Sequence, residues 1–271
     1  MVQDQLQNDQ SSSDEPLRLA YQSFGQLQGM EAYQARLEAT VRASAPGADV
    51  TILRLGSTIV AGKGFASAQA LDVPLVLRSI AAAVDAGAEA VAIGNGFDPG
   101  LWESRELFGV PILGLFETLA LHALRVGWRV GVLCSGNSGV GRIEELAARY
   151  GIATRFVRPQ ALGITVPDVV AGLEDAERMA RTAAAAGGAV LALAERGADV
   201  AIVASGALDI LLASSPRMTF AIPVLPSVPI LVAELATTAG LARRGVQSVS
   251  RAGRFATPPD EIQRAIRDGG T

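Results

Sequence analysis

The feature that most constrains the fold is an internal repeat. Gly87–Gly96 reads GAEAVAIGNG and Gly197–Gly206 reads GADVAIVASG, and the two align without a gap at an offset of 110 residues (87 to 197, 96 to 206). Each copy holds a helix-ending Gly-Ala, an acidic residue, a short apolar strand and a small polar residue before glycine. Asn95 aligns with Ser205, and Gly96 with Gly206. A second echo is read between Val110-Pro111-Ile112-Leu113 and Val228-Pro229-Ile230-Leu231, each followed by a glutamate, Glu117 and Glu234. Trp128–Ser135 echoes Leu17–Ser23 as the opening strand of each half.

The spacing predicts strands at Leu17–Gln22, Val50–Leu55, Ala90–Gly94 and Val110–Leu113, and again at Trp128–Cys134, Thr154–Arg158, Val200–Ala204 and within Ile222–Ile230. Helical periodicity lies between them, including Gln26–Ala45, Val73–Ala86, a long stretch from about Val169 to Arg196, and Val232–Arg243. Strands alternating with helices imply parallel sheets with right-handed crossovers. The expected architecture is α/β, with two pseudo-symmetric lobes and a ligand cleft between them. The first lobe is assigned to 17–126 plus about 228–243 and the second to 127–227. Residues 1–16 are expected to form a disordered leader, and 244–271 a polar, poorly packed tail.

Composition narrows the function. Hydrophobic residues make up 49% and charged residues 18%, enough apolar material for a substantial core. The net charge is −4 and no basic stripe is present, which argues against a nucleic-acid partner. One cysteine, Cys134, leaves no intrachain disulfide or multi-cysteine metal site. One histidine, His122, makes a histidine metal site or a Ser-His-Asp triad improbable, and its apolar helical neighbours suit a satisfied structural histidine. The leader MVQDQLQNDQSSSDEP has neither the basic nor the apolar region of a signal peptide. No uncharged apolar run of about 18 residues reads as a membrane span. A cytoplasmic location without a membrane partner is expected. The Ala- and Gly-rich helices leave room for a homo-oligomer.

Ligands of open parallel sheets sit beyond the carboxyl ends of the strands. Asn95, Gly96, Ser205 and Gly206 fall there, and the helix starts that follow favour an anionic group such as a carboxylate. Ser23, Ser57 and Thr58 follow the first two strands and are candidate hydrogen-bond donors to substrate. The loop Gly56–Gly64 lacks the glycine and lysine spacing of a phosphate-binding loop, and no dinucleotide fingerprint follows the first strand, so no cofactor is expected. Asp98 is either a carboxylate base or an N-cap before Pro99. Glu117 and Glu234 are either functional or hold neighbouring loops. Cys134 precedes Ser135-Gly136-Asn137-Ser138-Gly139; it is either a cleft thiol that carries protons or a small residue of the cleft wall.

The repeat, Asp98-Pro99-Gly100-Leu101, Val110-Pro111-Ile112-Leu113-Gly114 with Glu117, and Arg196-Gly197-Ala198-Asp199-Val200 resemble hydantoin and allantoin racemases of the aspartate/glutamate racemase superfamily. Leu162-Gly163-Ile164-Thr165 is similar to the same family and to arylmalonate decarboxylase. The resemblance covers roughly residues 17–243 and implies two Rossmann-like lobes. It also implies that two thiols, one per half, face each other across the cleft and move protons at a carbon next to a carbonyl. Their positions match Asn95 and Ser205, and neither is a cysteine. An amide does not titrate, and an unassisted hydroxyl is too weak an acid. Both can still donate hydrogen bonds to a carboxylate or a developing enolate. The expected function is therefore cofactor-independent chemistry on a small carboxylate or cyclic amide through an enolate-like state, as an isomerase or a decarboxylase/lyase. A hydrolase using water in the same cleft and a non-catalytic ligand-binding relative are the alternatives.

Overall fold

The computed structural model describes residues 15–25, 29–56, 64–216 and 218–268. Two four-stranded parallel sheets carry the fold. The first is ordered β2-β1-β3-β4, with β1 (Arg18–Ser23), β2 (Asp49–Arg54), β3 (Ala90–Ile93) and β4 (Ile112–Gly114). The second is ordered β6-β5-β7-β8, with β5 (Val130–Cys134), β6 (Gln160–Ala161), β7 (Val200–Val203) and β8 (Val224–Leu225). The orders are the same, and the repeated decapeptides supply β3 and β7 at matching positions. Gly87 and Gly197 end the preceding helices with φ of +93° and +88°, a conformation glycine adopts without a Cβ penalty. The acidic residue of each copy closes the neighbouring strand: Glu89 accepts from the Arg18 N–H, and Asp199 from those of Trp128 and Arg129.

The strands are apolar on both faces because helices cover both. Leu19, Tyr21, Ala90 and Ala92 share one core cluster with residues of α1 (Glu31–Ser44) and α4 (Leu115–Val126), while Ala20, Val91 and Ile93 share another with residues of α2 (Ala66–Asp85) and α3 (Leu101–Leu107). On α1 the buried stripe is Tyr33, Leu37 and Val41, the spacing of one helical face. The helix α2 is long and apolar enough by composition to cross a membrane, yet Val76, Ile80 and Ala81 are buried in the cluster formed with the first sheet. The second lobe adds α5 (Ser138–Arg149), α6 (Val166–Ala171), α7 (Ala176–Glu195) and α8 (Gly206–Ser214). From β8 the chain enters α9 (Ser227–Arg243), which packs on α1, α4, β1 and β3 of the first lobe.

Several local expectations are corrected. Thr154–Arg158 is not a regular strand. Val157 N–H does bond Val130 O, but Pro159 has no N–H to extend the ladder, which resumes at Gln160. The stretch Val169–Arg196 is two helices, because Asp175 caps a new start by accepting from Glu177 and Arg178 N–H. Val228-Pro229-Ile230-Leu231 lies in the first turns of α9, where proline is tolerated, and not in a strand. The true counterpart of Pro111 is Pro223: their carbonyls accept from Val91 and Ala201 N–H at equivalent points of the two sheets. Glu117 and Glu234 are therefore not equivalent. The described segment beyond Gly245, residues 246–268, is packed, not a loose tail. Arg251 donates to the carbonyls of Arg105, Glu106 and Phe108 at the end of α3, Arg254 lies over the Trp102 ring, and α10 (Asp260–Asp268) packs on α2 with Arg267 paired to Asp85.

Candidate active site

A cavity of about 200 Å³ lies between the carboxyl ends of the two sheets. The first lobe contributes the turn after β1 (Phe24, Gly25), Met30 and Tyr33 of α1, and Gly94–Phe97 after β3. The second lobe contributes the matching segments, Cys134–Gly136 after β5 and Ala204–Ala207 after β7, with Ser138 and Gly139 of α5 and Ile164–Val166. Gly163, with φ of +74°, turns this last segment onto the wall.

The lobes meet at the repeat. A Cβ on Gly96 would lie 2.6 Å from the Ala204 carbonyl carbon and closer still to its oxygen. The equivalent position, Gly206, is looser: its nearest neighbours would be the Tyr33 hydroxyl at 3.6 Å and the Gly94 carbonyl oxygen at 3.8 Å.

Asn95 and Ser205 both line the cavity, each already committed on its acceptor side. The Asn95 Oδ1 accepts from Phe97 N–H at 2.9 Å, and Ser205 Oγ accepts from Leu208 N–H at 3.3 Å as the N-cap of α8. What remains for a ligand is the Asn95 amide N–H₂, the Ser205 O–H and the first N–H groups of α8, which have no intrahelical acceptor. Ser135 brings a buried hydroxyl with no hydrogen-bond partner to the same wall. Among the described residues lining the cavity there is no Lys, Arg, His, Asp or Glu. The described lining offers an anion neutral dipoles.

Cys134 ends β5 on the cavity wall, 2% exposed. Burial pushes its thiol up to about 12. A thiolate is the reactive form, so a disulfide-exchange reagent at pH 8 should label native Cys134 at least about tenfold more slowly than the same thiol in denaturant. Equal rates would show a thiol far more accessible than this one.

Other sequence-predicted residues sit elsewhere. Asp98 does not line the cavity. Its carboxylate accepts from Phe116 and Glu117 N–H at 2.9 and 2.8 Å and from the Tyr150 hydroxyl at 2.8 Å, fastening the β3 turn to the start of α4 and to the second lobe. Its φ of +45° is a conformation aspartate tolerates better than most residues. Burial raises its pKa to about 7 against these three donors. Asp209 does the same in the second half: it accepts from Ser227 and Val228 N–H, both at 2.9 Å, and burial raises it to about 6. Glu117 is also outside the cavity and pairs with Arg105 at 2.5 and 2.8 Å. Glu234 takes His122 at 2.9 Å and Arg125 at 3.2 Å, a structural role for the histidine. Ser23 is buried behind the lining, beside Tyr33. Ser57 and Thr58 lie outside the described residues. Tyr33 and Phe97 are wall residues that motif reading did not single out, each looking like ordinary core in sequence; Ile164 entered only through the Leu162–Thr165 resemblance.

With that geometry in place, the comparisons with known proteins are informative. The Asp/Glu/Hydantoin racemase family model matches residues 28–235. The chain belongs to this family. Among solved structures it is similar to allantoin racemase from Klebsiella pneumoniae, with a TM-score of 0.70, 22% identity, and coverage of 89% of this chain and 94% of that one. Glutamate racemase from Bacillus anthracis aligns with a TM-score of 0.61 at 14% identity, covering 87% and 85%. A mutant of arylmalonate decarboxylase in its liganded form aligns with a TM-score of 0.52 at 18% identity, covering 83% and 93%. At these identities the structures establish the shared fold. No curated protein sequence matches this family member.

Proposed function

We propose that this racemase-family protein is a cofactor-independent enzyme that acts on a small carboxylate or cyclic amide through an enolate-like intermediate, as an isomerase or a decarboxylase/lyase. The observation that carries the reading is the cavity wall. Neutral donors converge from both halves, Asn95 N–H₂, Ser205 O–H, Ser135 O–H and the α8 N–H groups, with no charged side chain among the described lining residues. Such donors stabilise negative charge that develops on a carboxylate or enolate oxygen, and they are worth most in a site closed to water. They do not serve a cation.

The two positions that the family resemblance assigns to thiols are Asn95 and Ser205, which supports a reaction other than symmetric two-thiol racemisation. Chemistry that forms the enolate by breaking a carbon–carbon bond, as decarboxylation does, leaves the electron pair on carbon and needs one proton donor and no matched base on the opposite face. Cys134 is one candidate donor on the wall.

The test is incubation in heavy water with hydantoins including allantoin, α-amino acids including glutamate, arylmalonates and unsaturated diacids, followed by proton NMR and mass spectrometry. Deuterium at an α-carbon is the expected result, with loss of carbon dioxide marking a decarboxylase. A panel with neither exchange nor mass change sinks the enolate reading. Product containing solvent oxygen without α-deuterium replaces it with hydrolysis. Ligand-induced stabilisation without any turnover points to a binding protein.

A further inference from the structure

An enolate has to be protonated at carbon, and few groups on this wall can do it. Among the described residues lining the cavity, the ones with a titratable proton are Cys134 and Tyr33. They belong to opposite lobes. Cys134 lies on the side of the Asn95 turn: a Cβ placed on Gly139 would be 3.2 Å from Phe97 Cζ and 3.5 Å from Cys134 Cβ. Tyr33 lies on the side of the Ser205 turn. It is carried by the buried stripe of α1, and its ring spans from Gly25, where a Cβ would meet Cε1 at 3.2 Å, to Gly206, where a Cβ would meet the hydroxyl at 3.6 Å. Both glycines line the cavity, so side chains at neither position cover the phenol.

The phenol also has a prepared setting. The hydroxyls of Tyr21 and Ser23 are buried behind it without a hydrogen-bond partner of good geometry. Ser23 is nevertheless close enough to favour the phenolate form of Tyr33, against burial and the Asp209 carboxylate, which hold the phenol protonated well above its ordinary range. A group kept protonated in this way gives a proton to a carbanion but does not abstract one at neutral pH.

Building on the enolate reading above, we propose that Tyr33 is the catalytic proton donor to the face of the enolate directed at Ser205–Gly206, in the place where the family resemblance would put a thiol. In this step the enolate electron pair forms the new Cα–H bond as the Tyr33 O–H bond breaks. The phenolate left behind regains a proton from water. Delivery from one wall makes the product one-handed.

The test is Tyr33→Phe in the full chain, beside Cys134→Ala, on whichever panel compound the wild type converts in heavy water. Tyr33→Phe should lower kcat by about 100-fold or more, leave KM within about threefold, and yield residual product with deuterium on both faces. Its circular dichroism should match that of the wild type. A kcat within threefold with one-handed product overturns the proposal, as does a rise in KM alone, which would make Tyr33 a wall residue. Loss of handedness in Cys134→Ala but not in Tyr33→Phe transfers the role to the thiol and leaves the enolate reading standing. A wild type that converts nothing removes both.

Discussion

Gly96→Ala is expected to lower the melting temperature by about 6–12 °C, and Gly206→Ala by less than about 2 °C, although the two glycines occupy the same place in the repeat. The difference lies in what each new methyl meets. At 96 it would lie 2.6 Å from a carbonyl carbon of the other lobe, and backbone cannot rotate out of the way as a side chain does. Relief requires separating the sheets at their carboxyl ends, a cost of about 3 kcal/mol by the scale of overpacked cores. For a chain of this size each kcal/mol is worth about 2–4 °C. At 206 the nearest atoms are 3.6–3.9 Å away, ordinary contact, and alanine in the first turn of α8 loses less chain entropy than glycine. The comparison separates close approach from backbone conformation, because neither glycine has a positive φ. Equal effects at 96 and 206, read by calorimetry, would mean that the lobes do not meet at Ala204 as described.

The contrast also shows what sequence can and cannot carry. The decapeptide repeat was legible because each of its residues answers a local need: a left-handed helix end at Gly87 and Gly197, a strand-closing carboxylate at Glu89 and Asp199, a buried strand, then a turn. The match of Val110–Leu113 to Val228–Leu231 misled because an apolar Val-Pro-Ile-Leu string suits a strand edge and a helix start equally. Hydrogen bonding, through Pro111 and Pro223, decides between them. The kinship of Asp98 and Asp209 was hidden by spacing. Asp98 follows Asn95 by three positions and Asp209 follows Ser205 by four, so no ungapped alignment pairs them. The shorter turn reaches its target by placing Asp98 at φ +45°. Tyr33 was readable as one member of an apolar helical face, as it is. That its hydroxyl end reaches the other lobe depends on where two glycines leave space, which is a property of the packed pair of lobes and not of α1. Asn95, Ser205, Cys134 and Ser135 were found because they end strands of a parallel sheet, where side chains open into a cleft. Asp98 and Glu117 were weighed as functional carboxylates near the same strand ends, yet Asp98 turns away to hold the start of α4 and Glu117 to pair with Arg105 of α3.

Glu117→Ala is expected to cost about 3 kcal/mol, or about 6–12 °C in melting temperature, although Glu117 touches no part of the cavity. Arg105 and Glu117 are each 16% exposed and meet through two hydrogen bonds, while Arg105 also donates twice to the Ile112 carbonyl. Truncating the glutamate leaves a guanidinium largely shielded from water with its counter-charge removed, and that uncompensated charge is the main cost. The damage should spread. Arg105 ties α3 to β4, Glu117 N–H is one of the donors that hold Asp98, and Asp98 sits at the end of the turn that presents Asn95. The double variant Arg105→Met/Glu117→Leu removes both charges and fills the space with apolar atoms, so it should be more stable than Glu117→Ala alone. A coupling energy of about 1 kcal/mol or more is expected from a double-mutant cycle with Arg105→Met and Glu117→Leu as the single variants. Additive losses, with the double variant the least stable of the set, would show that Arg105 and Glu117 act independently. The site turn would then rest on Asp98 and its N–H donors alone.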